Sequence, residues 1–113
     1  MTADIVALAR HYAALPVRPA GGARDTAKAH AGEQVAQRML CGTCHLPSFV
    51  GQAQVPRLAG QSEAYLLAAM TQFRDAPAPG RDTLMSAALR GASDTDLANL
   101  AHFLSHFTAA RSP

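Results

Sequence analysis

The run Cys41-Gly42-Thr43-Cys44-His45 constrains this chain more than any other stretch of it. Two thiols three positions apart, followed at once by an imidazole, form the attachment signature of a c-type haem. The spacing matches the chemistry. Each cysteine S–H adds across one vinyl group of the porphyrin, and the next residue, about one helical turn from the first thiol, can bring its Nε2 to the iron. Two other chemistries use closely spaced thiols. A zinc site needs a second Cys or His pair, and none stands at ligand spacing downstream of His45. A thioredoxin-like redox pair follows a strand in a βαβ unit, and no β-branched run precedes Cys41.

The length of 113 residues suits one domain, and the balance of 49% hydrophobic against 5% aromatic residues means a core of Ala and Leu, short of large side chains. A porphyrin would supply the missing apolar bulk, so loss of haem is expected to cost the fold as well as the function. The formal charge is +2 before two propionates are counted, and nothing in it points to nucleic acid. Both cysteines belong to the motif, leaving none for a disulfide. No apolar run reaches the roughly 18 residues of a membrane span. Residues 1–15 include Asp4, Arg10 and His11 and lack the basic start and apolar run of an export leader. Since thioether attachment takes place on the exported side of the bacterial membrane, a periplasmic location is expected, with the sequence processed, trimmed or excised.

Periodicity predicts an all-helical chain. Ile5, Leu8, Ala9, Tyr12 and Leu15 form one apolar stripe, ended by Pro16. Two prolines and two glycines within residues 16–24 read as a linker. A second helix is expected from residue 25 or 31 to residue 40, with Gly32, Val35, Ala36 and Met39 inward and the haem motif at its C-terminal end. Residues 46–61, punctuated by Pro47, Gly51, Pro56 and Gly60, form a long irregular loop expected to wrap a porphyrin edge. Ser62 then caps a helix to about residue 75 with Tyr65, Leu66, Ala69, Met70 and Phe73 buried. A turn-rich loop, 76–83, leads to a short helix from Met85 to Arg90 closed by Gly91. Ser93 to Asp96 resembles a capping box with Asp for the usual Glu, and opens a last helix to Phe107 that buries Leu97, Leu100, Phe103, Leu104 and Phe107.

The opening helix repeats the last one. Asp4-Ile-Val-Ala-Leu-Ala-Arg-His-Tyr and Asp96-Leu-Ala-Asn-Leu-Ala-His-Phe-Leu share the acidic start, the Leu-Ala pair and aromatic residues in the same turn. The chain is therefore divided into residues 1–24, a helix and linker that read as the tail of an upstream module, and residues 25–113, the haem domain. The apolar stripe of the first helix needs cover. It is expected either to pack back across residues 32–107 or to mediate a dimer.

From about Gly32 to Phe107 the sequence resembles a class I c-type cytochrome of the small bacterial kind, in particular one module of the tandem di-haem cytochromes. Residues 32–45, Val-Pro-Arg-Leu-Ala-Gly-Gln at 55–61, Tyr65-Leu66 with Phe73-Arg74, and Met85 with residues 93–103 carry the resemblance. It implies four to five helices around one covalently bound haem c, His/Met ligation, and one-electron carriage between membrane-bound respiratory partners such as a quinol-oxidising complex and a terminal oxidase, without substrate turnover. The alternatives are a gas sensor or peroxidase-like module with an open sixth position, or a haem module of a larger redox enzyme. By the same resemblance the carbonyl of Pro56 accepts the Nδ1 proton of His45, and Arg57, Tyr65 and Arg81 are candidates for the propionates. Leu46, where Gly is common, and the loop at 77–80 depart from the pattern.

Three internal methionines could ligate the iron beside His45. Met39 is too near Cys41 to reach the other haem face, and Met70 lies on a core stripe. Met85 follows a flexible loop and matches the family position. His102 and His106, at i and i+4, could hold a metal, but with Thr95 and Asn99 they read as a solvated face. Gly32 and Phe103 are expected to mark the crossing of the second and last helices.

Overall fold

The computed structural model describes residues 1–16, 21–76 and 83–108. Six helices follow in order: α1 (Thr2–Ala14), α2 (Thr26–Arg38), α3 (Cys41–His45), α4 (Glu63–Asp75), α5 (Thr83–Ala88) and α6 (Asp94–Ser105). Among the described residues there is no strand, only an isolated bridge between Gln52 and Val55. The fold is all-α, as the periodicity requires. No helix among these residues is long and apolar enough to cross a membrane.

α6 is the central element. It packs against α2 on one side and α4 on the other, and contributes Leu97, Leu100, Ala101, Phe103 and Leu104 to the core. The α2–α6 crossing is close because Gly32 lacks a side chain: a Cβ there would overlap the Asn99 carbonyl and stand 2.6 Å from Phe103 Cβ. Phe103 in turn meets Phe49 edge to face, with ring centroids 5.7 Å apart. Phe49 belongs to the long loop, so the aromatic pair fastens the loop to the helix crossing. A backbone bond of 3.0 Å from Gly60 N–H to Leu104 O closes the loop's other end.

The helix ends follow local rules. Asp25 caps α2 through Lys28 N–H at 3.0 Å, and Ser62 caps α4 through Tyr65 N–H at 3.3 Å. The expected capping box at α6 is present with Asp96: Asp96 N–H donates to Ser93 Oγ at 3.0 Å and Ser93 N–H donates to Asp96 Oδ2 at 3.1 Å. The Ser93 N–H first, and then the Arg38 guanidinium, hold the Asp96 carboxyl below its ordinary value. Arg74 ties the end of α4 to the start of α6 by donating to Ala92 O at 3.0 Å and to Asp94 at 2.7 Å.

Several boundaries differ from expectation. α2 stops at Arg38 because Leu40 adopts a left-handed conformation, φ 59, so the Cys-Gly-Thr-Cys-His run forms its own turn rather than ending α2. α5 begins at Thr83 and ends at Ala88, and α6 ends at Ser105, two residues short of Phe107. The loop at 77–80 lies outside the described residues. Tyr65 is 61% exposed rather than part of the α4 stripe. α1 does not pack across residues 32–107: none of its residues is buried, and Ile5, Leu8, Tyr12 and Leu15 are each half exposed or more.

The Gly32 contact yields a direct expectation. Gly32→Val should cost at least about 3 kcal/mol and lower the melting temperature by roughly 10 °C or more, measured by thermal unfolding of the holoprotein. An unchanged melting temperature would show that α2 and α6 can part without loss.

Candidate haem site

The turn α3 exists because the chain reverses on both sides of it. Leu40, φ 59, separates it from α2, and Leu46, φ 71 and ψ 155, ends it in a region populated almost only by glycine. That is the position where Leu46 departs from the family pattern, and the left-handed backbone explains why glycine is favoured there. The strain of a leucine in this conformation is of order 1–3 kcal/mol. The turn leaves Cys44 exposed and Cys41 half-buried, and burial pushes the Cys41 thiol up from its ordinary value. A neutral thiol suits an apolar wall.

His45 is 7% exposed. Its Nδ1–H donates to the carbonyl of Pro56 at 2.7 Å, a bond that sets the tautomer and leaves Nε2 with its lone pair. The acceptor is positioned by a tight loop. Gly51 N–H donates to His45 O at 3.1 Å, and Gly51 itself, φ 79, runs so close to the next segment that a Cβ would stand 2.5 Å from Val55 O and 2.7 Å from Pro56 C. Gln52 adds a side-chain bond of 3.0 Å to Cys44 O. The loop residues 51–56 therefore brace the haem motif from behind.

Cys41, Cys44 and His45 open onto a cavity of about 450 Å³ bounded by α4, α5 and α6. Its walls are largely aliphatic, with Leu66, Leu89, Leu100 and Leu104 deep inside. Leu40, Tyr65 and Leu84 line it while remaining 68%, 61% and 77% exposed, and so form an apolar rim. Cys41, Cys44, His45 and the three methionines Met39, Met70 and Met85 all line this one space. That donor set suits a haem and its iron. The cavity explains why the Ala/Leu core is short of bulk.

Of the expected site residues, the structure brings Cys41, Cys44, His45, Pro56, Arg57, Tyr65 and Met85 to the cavity. Arg57 and Tyr65 are exposed at its mouth. Arg81 lies outside the described residues. Met70, 5% exposed, serves both core and wall. Sequence reasoning missed the roles of Val55, Leu58 and Leu84 as wall residues and of Phe49 as the loop's anchor. Phe49, at φ 57, carries no turn signal that could have revealed it.

His102 and His106 are not on a solvated face. His102 is 5% exposed, with Nδ1 3.1 Å from Glu63 Oε1 and Nε2 2.9 Å from the N–H of Asp25. The helix register that makes them look external is correct. What covers them comes from distant segments that periodicity does not see.

An all-α chain with a Cys-x-x-Cys-His turn opening onto an apolar cavity is a class I haem protein by fold and donor set. Comparison with known proteins places it further. The cytochrome c family profile matches residues 29–108, and the chain belongs to that family, which implies one covalently bound haem c. The structure is similar to that of reduced recombinant cytochrome c4 from Pseudomonas stutzeri, with 30% identity and a TM-score of 0.67 over 76% of this chain and 51% of that one. It is also similar to cytochrome c4 from Acidithiobacillus ferrooxidans, with 25% identity and a TM-score of 0.73 over 93% of this chain and 64% of that one. The chain thus spans about half to two thirds of the length of these two proteins. A search of curated proteins gives no significant match.

Since Gly51 holds the Pro56 carbonyl against His45, Gly51→Ala should cost about 1–3 kcal/mol and lower the holoprotein's melting temperature by several degrees. Unchanged melting would show that the loop does not depend on this close approach.

Proposed function

We infer that the protein is a one-electron carrier, not an enzyme, with its haem held by Cys41 and Cys44 and the iron ligated by His45 and Met85. The observation that carries this reading is that Cys41, Cys44, His45 and Met85 line a single apolar cavity. The bound haem supplies the ferrous–ferric couple. The chain's own groups do the rest. Pro56 holds the His45 proton on Nδ1 and so keeps Nε2 directed to a ligand role. The aliphatic walls exclude water and disfavour the extra positive charge of the ferric state, which together with a thioether ligand raises the potential. Met85 is preferred over Met70, which belongs to the buried α4 stripe, and over Met39, two residues from Cys41. Arg57, Tyr65 and Arg81 are assigned to the propionates, the first two supported by their exposed places at the cavity mouth.

A position filled by Met85 leaves no site for substrate. Native ferrous protein should therefore bind carbon monoxide negligibly within minutes, whereas Met85→Ala should bind it fully within seconds and show a lower reduction potential. Rapid, complete binding by the native protein would sink the carrier reading in favour of a sensor or peroxidase-like site.

The rim of Leu40, Tyr65 and Leu84 supports a small, transient encounter with redox partners such as a quinol-oxidising complex and a terminal oxidase. A periplasmic location follows from where thioether attachment takes place. Residues 1–24 are assigned to an appendage and 25–113 to the haem domain, supported by the lack of buried residues in α1. Its stripe of Ile5, Leu8, Tyr12 and Leu15 finds its cover on a second haem module or a second copy of the chain. Deleting residues 1–20 should leave haem content intact and shift the melting temperature by less than about 2 °C, and should abolish any self-association seen by light scattering. A loss of roughly 10 °C in a strictly monomeric protein would show that α1 belongs to the domain.

A further inference from the structure

The two nitrogens of His102 face partners of opposite kind. The backbone N–H of Asp25 can only donate, so Nε2, 2.9 Å away, carries a lone pair. The carboxylate of Glu63 can only accept, so Nδ1, 3.1 Å away, carries the proton. The ring is thereby specified as one neutral tautomer, and through it α6 is tied to the start of α2 and the start of α4. His106, one turn on, grips the same approach to α2. Its Nδ1 stands 3.0 Å from His102 O and 3.0 Å from Ser105 Oγ, and its Nε2 stands 3.3 Å from Gly22 O. Between them the two histidines fasten residues 22–25, the segment by which α1 and the linker join the domain.

Glu63, His102 and His106 bring ligand atoms within 4.8 Å of one another, the arrangement of a metal site. The hydrogen bonds argue against that use. Both nitrogens of His102 already have matched protein partners, and a metal on its Nδ1 would drive the remaining ring proton onto Nε2, against the Asp25 N–H. What this cluster can exchange is a proton.

We propose that Glu63 and His102 form a proton-operated clasp on Asp25, at the start of the haem domain: neutral His102 holds Asp25, and a second ring proton releases it. The step is the uptake of one proton from solvent at Nε2. It turns an acceptor into a donor facing another donor, and the bond to the Asp25 N–H breaks. Three groups face the ring. Glu63 from α4 and the Asp25 carboxylate at the start of α2 favour uptake, while His106, whose ring centroid is 4.4 Å away, opposes it as a cation. The new N–H⁺ would attract the Asp25 carboxylate. That carboxylate now caps α2 by accepting from Lys28 N–H at 3.0 Å, so acid exchanges a backbone tether for a side-chain pair and loosens the helix start. As pH falls through the histidine range the Asp25 tether should be let go, while the contact of His106 Nε2 with Gly22 O, a donor facing an acceptor once protonated, persists.

The test is proton NMR of the full-length ferrous holoprotein, titrated from about pH 8 to about pH 5. The Asp25 amide should shift with the same midpoint as the His102 ring, and its protection from hydrogen exchange should fall about tenfold or more across that range, beyond the intrinsic change with pH. His102→Gln retains an acceptor and a donor without a titrating ring, and should leave the Asp25 amide protected and flat with pH. Glu63→Gln removes the carboxylate that favours uptake and should move both midpoints to lower pH, a check that does not depend on His102→Gln folding. An Asp25 amide that ignores the His102 titration, or that titrates unchanged in either variant, would overturn the clasp. The readouts are the Asp25 amide and the His102 ring, neither of them a haem ligand, and carbon monoxide can keep the ferrous iron diamagnetic if the sixth position is open, so a failure of the carrier reading leaves the test intact.

Discussion

Where α2 and α6 cross, Gly32 lets the backbone of one helix lie against the carbonyl of Asn99 and the Cβ of Phe103 on the other. This close approach fixes the distance between the element that leads into the haem motif and the element that forms the cavity's inner wall. Phe103 extends the constraint to Phe49 and hence to the long loop, whose residues 51–56 hold the carbonyl that accepts from His45. A missing side chain at one position is therefore felt at the imidazole through a chain of packed contacts. Each link is short, which is why the motif can be rigid although α3 is only one turn long.

The cavity is the counterpart of that rigidity. Ala and Leu suffice to pack helix against helix, but the walls they form enclose an apolar cavity. A covalently held porphyrin fills it, and the fold and its cofactor are then parts of one core. The burial that depresses the ionisation of Cys41 and the Pro56 bond that fixes the His45 tautomer suit the wall to such a group.

Much of this was legible because it is local. The Cys-x-x-Cys-His spacing, the Ser93 to Asp96 capping box and the stripe of Leu97, Leu100 and Leu104 depend on residues within a turn or two of one another. The crossing at Gly32 was legible because a glycine inside a helix costs stability and is tolerated where two backbones must come close. What escaped was long-range or lacked a chemical marker. Leu40 breaks α2 without being Gly or Pro, and Tyr65 follows the α4 period yet lies at the cavity mouth. His102 follows the polar face of α6, but Asp25 and Glu63, 77 and 39 residues away, turn that face into an interior. The stripe of α1 shows the complementary limit, since periodicity identifies a surface that needs cover without identifying the cover.

The central claim is that the cavity is built for one haem fixed through both cysteines. Intact-mass spectrometry of the protein after denaturation and acid–acetone extraction, from cells competent in haem attachment, tests it most directly. The account predicts a chain carrying the mass of one haem that resists extraction, reduced to the bare polypeptide in the Cys41→Ala/Cys44→Ala double variant. A native chain at bare polypeptide mass, with any haem recovered in the extract, would contradict it.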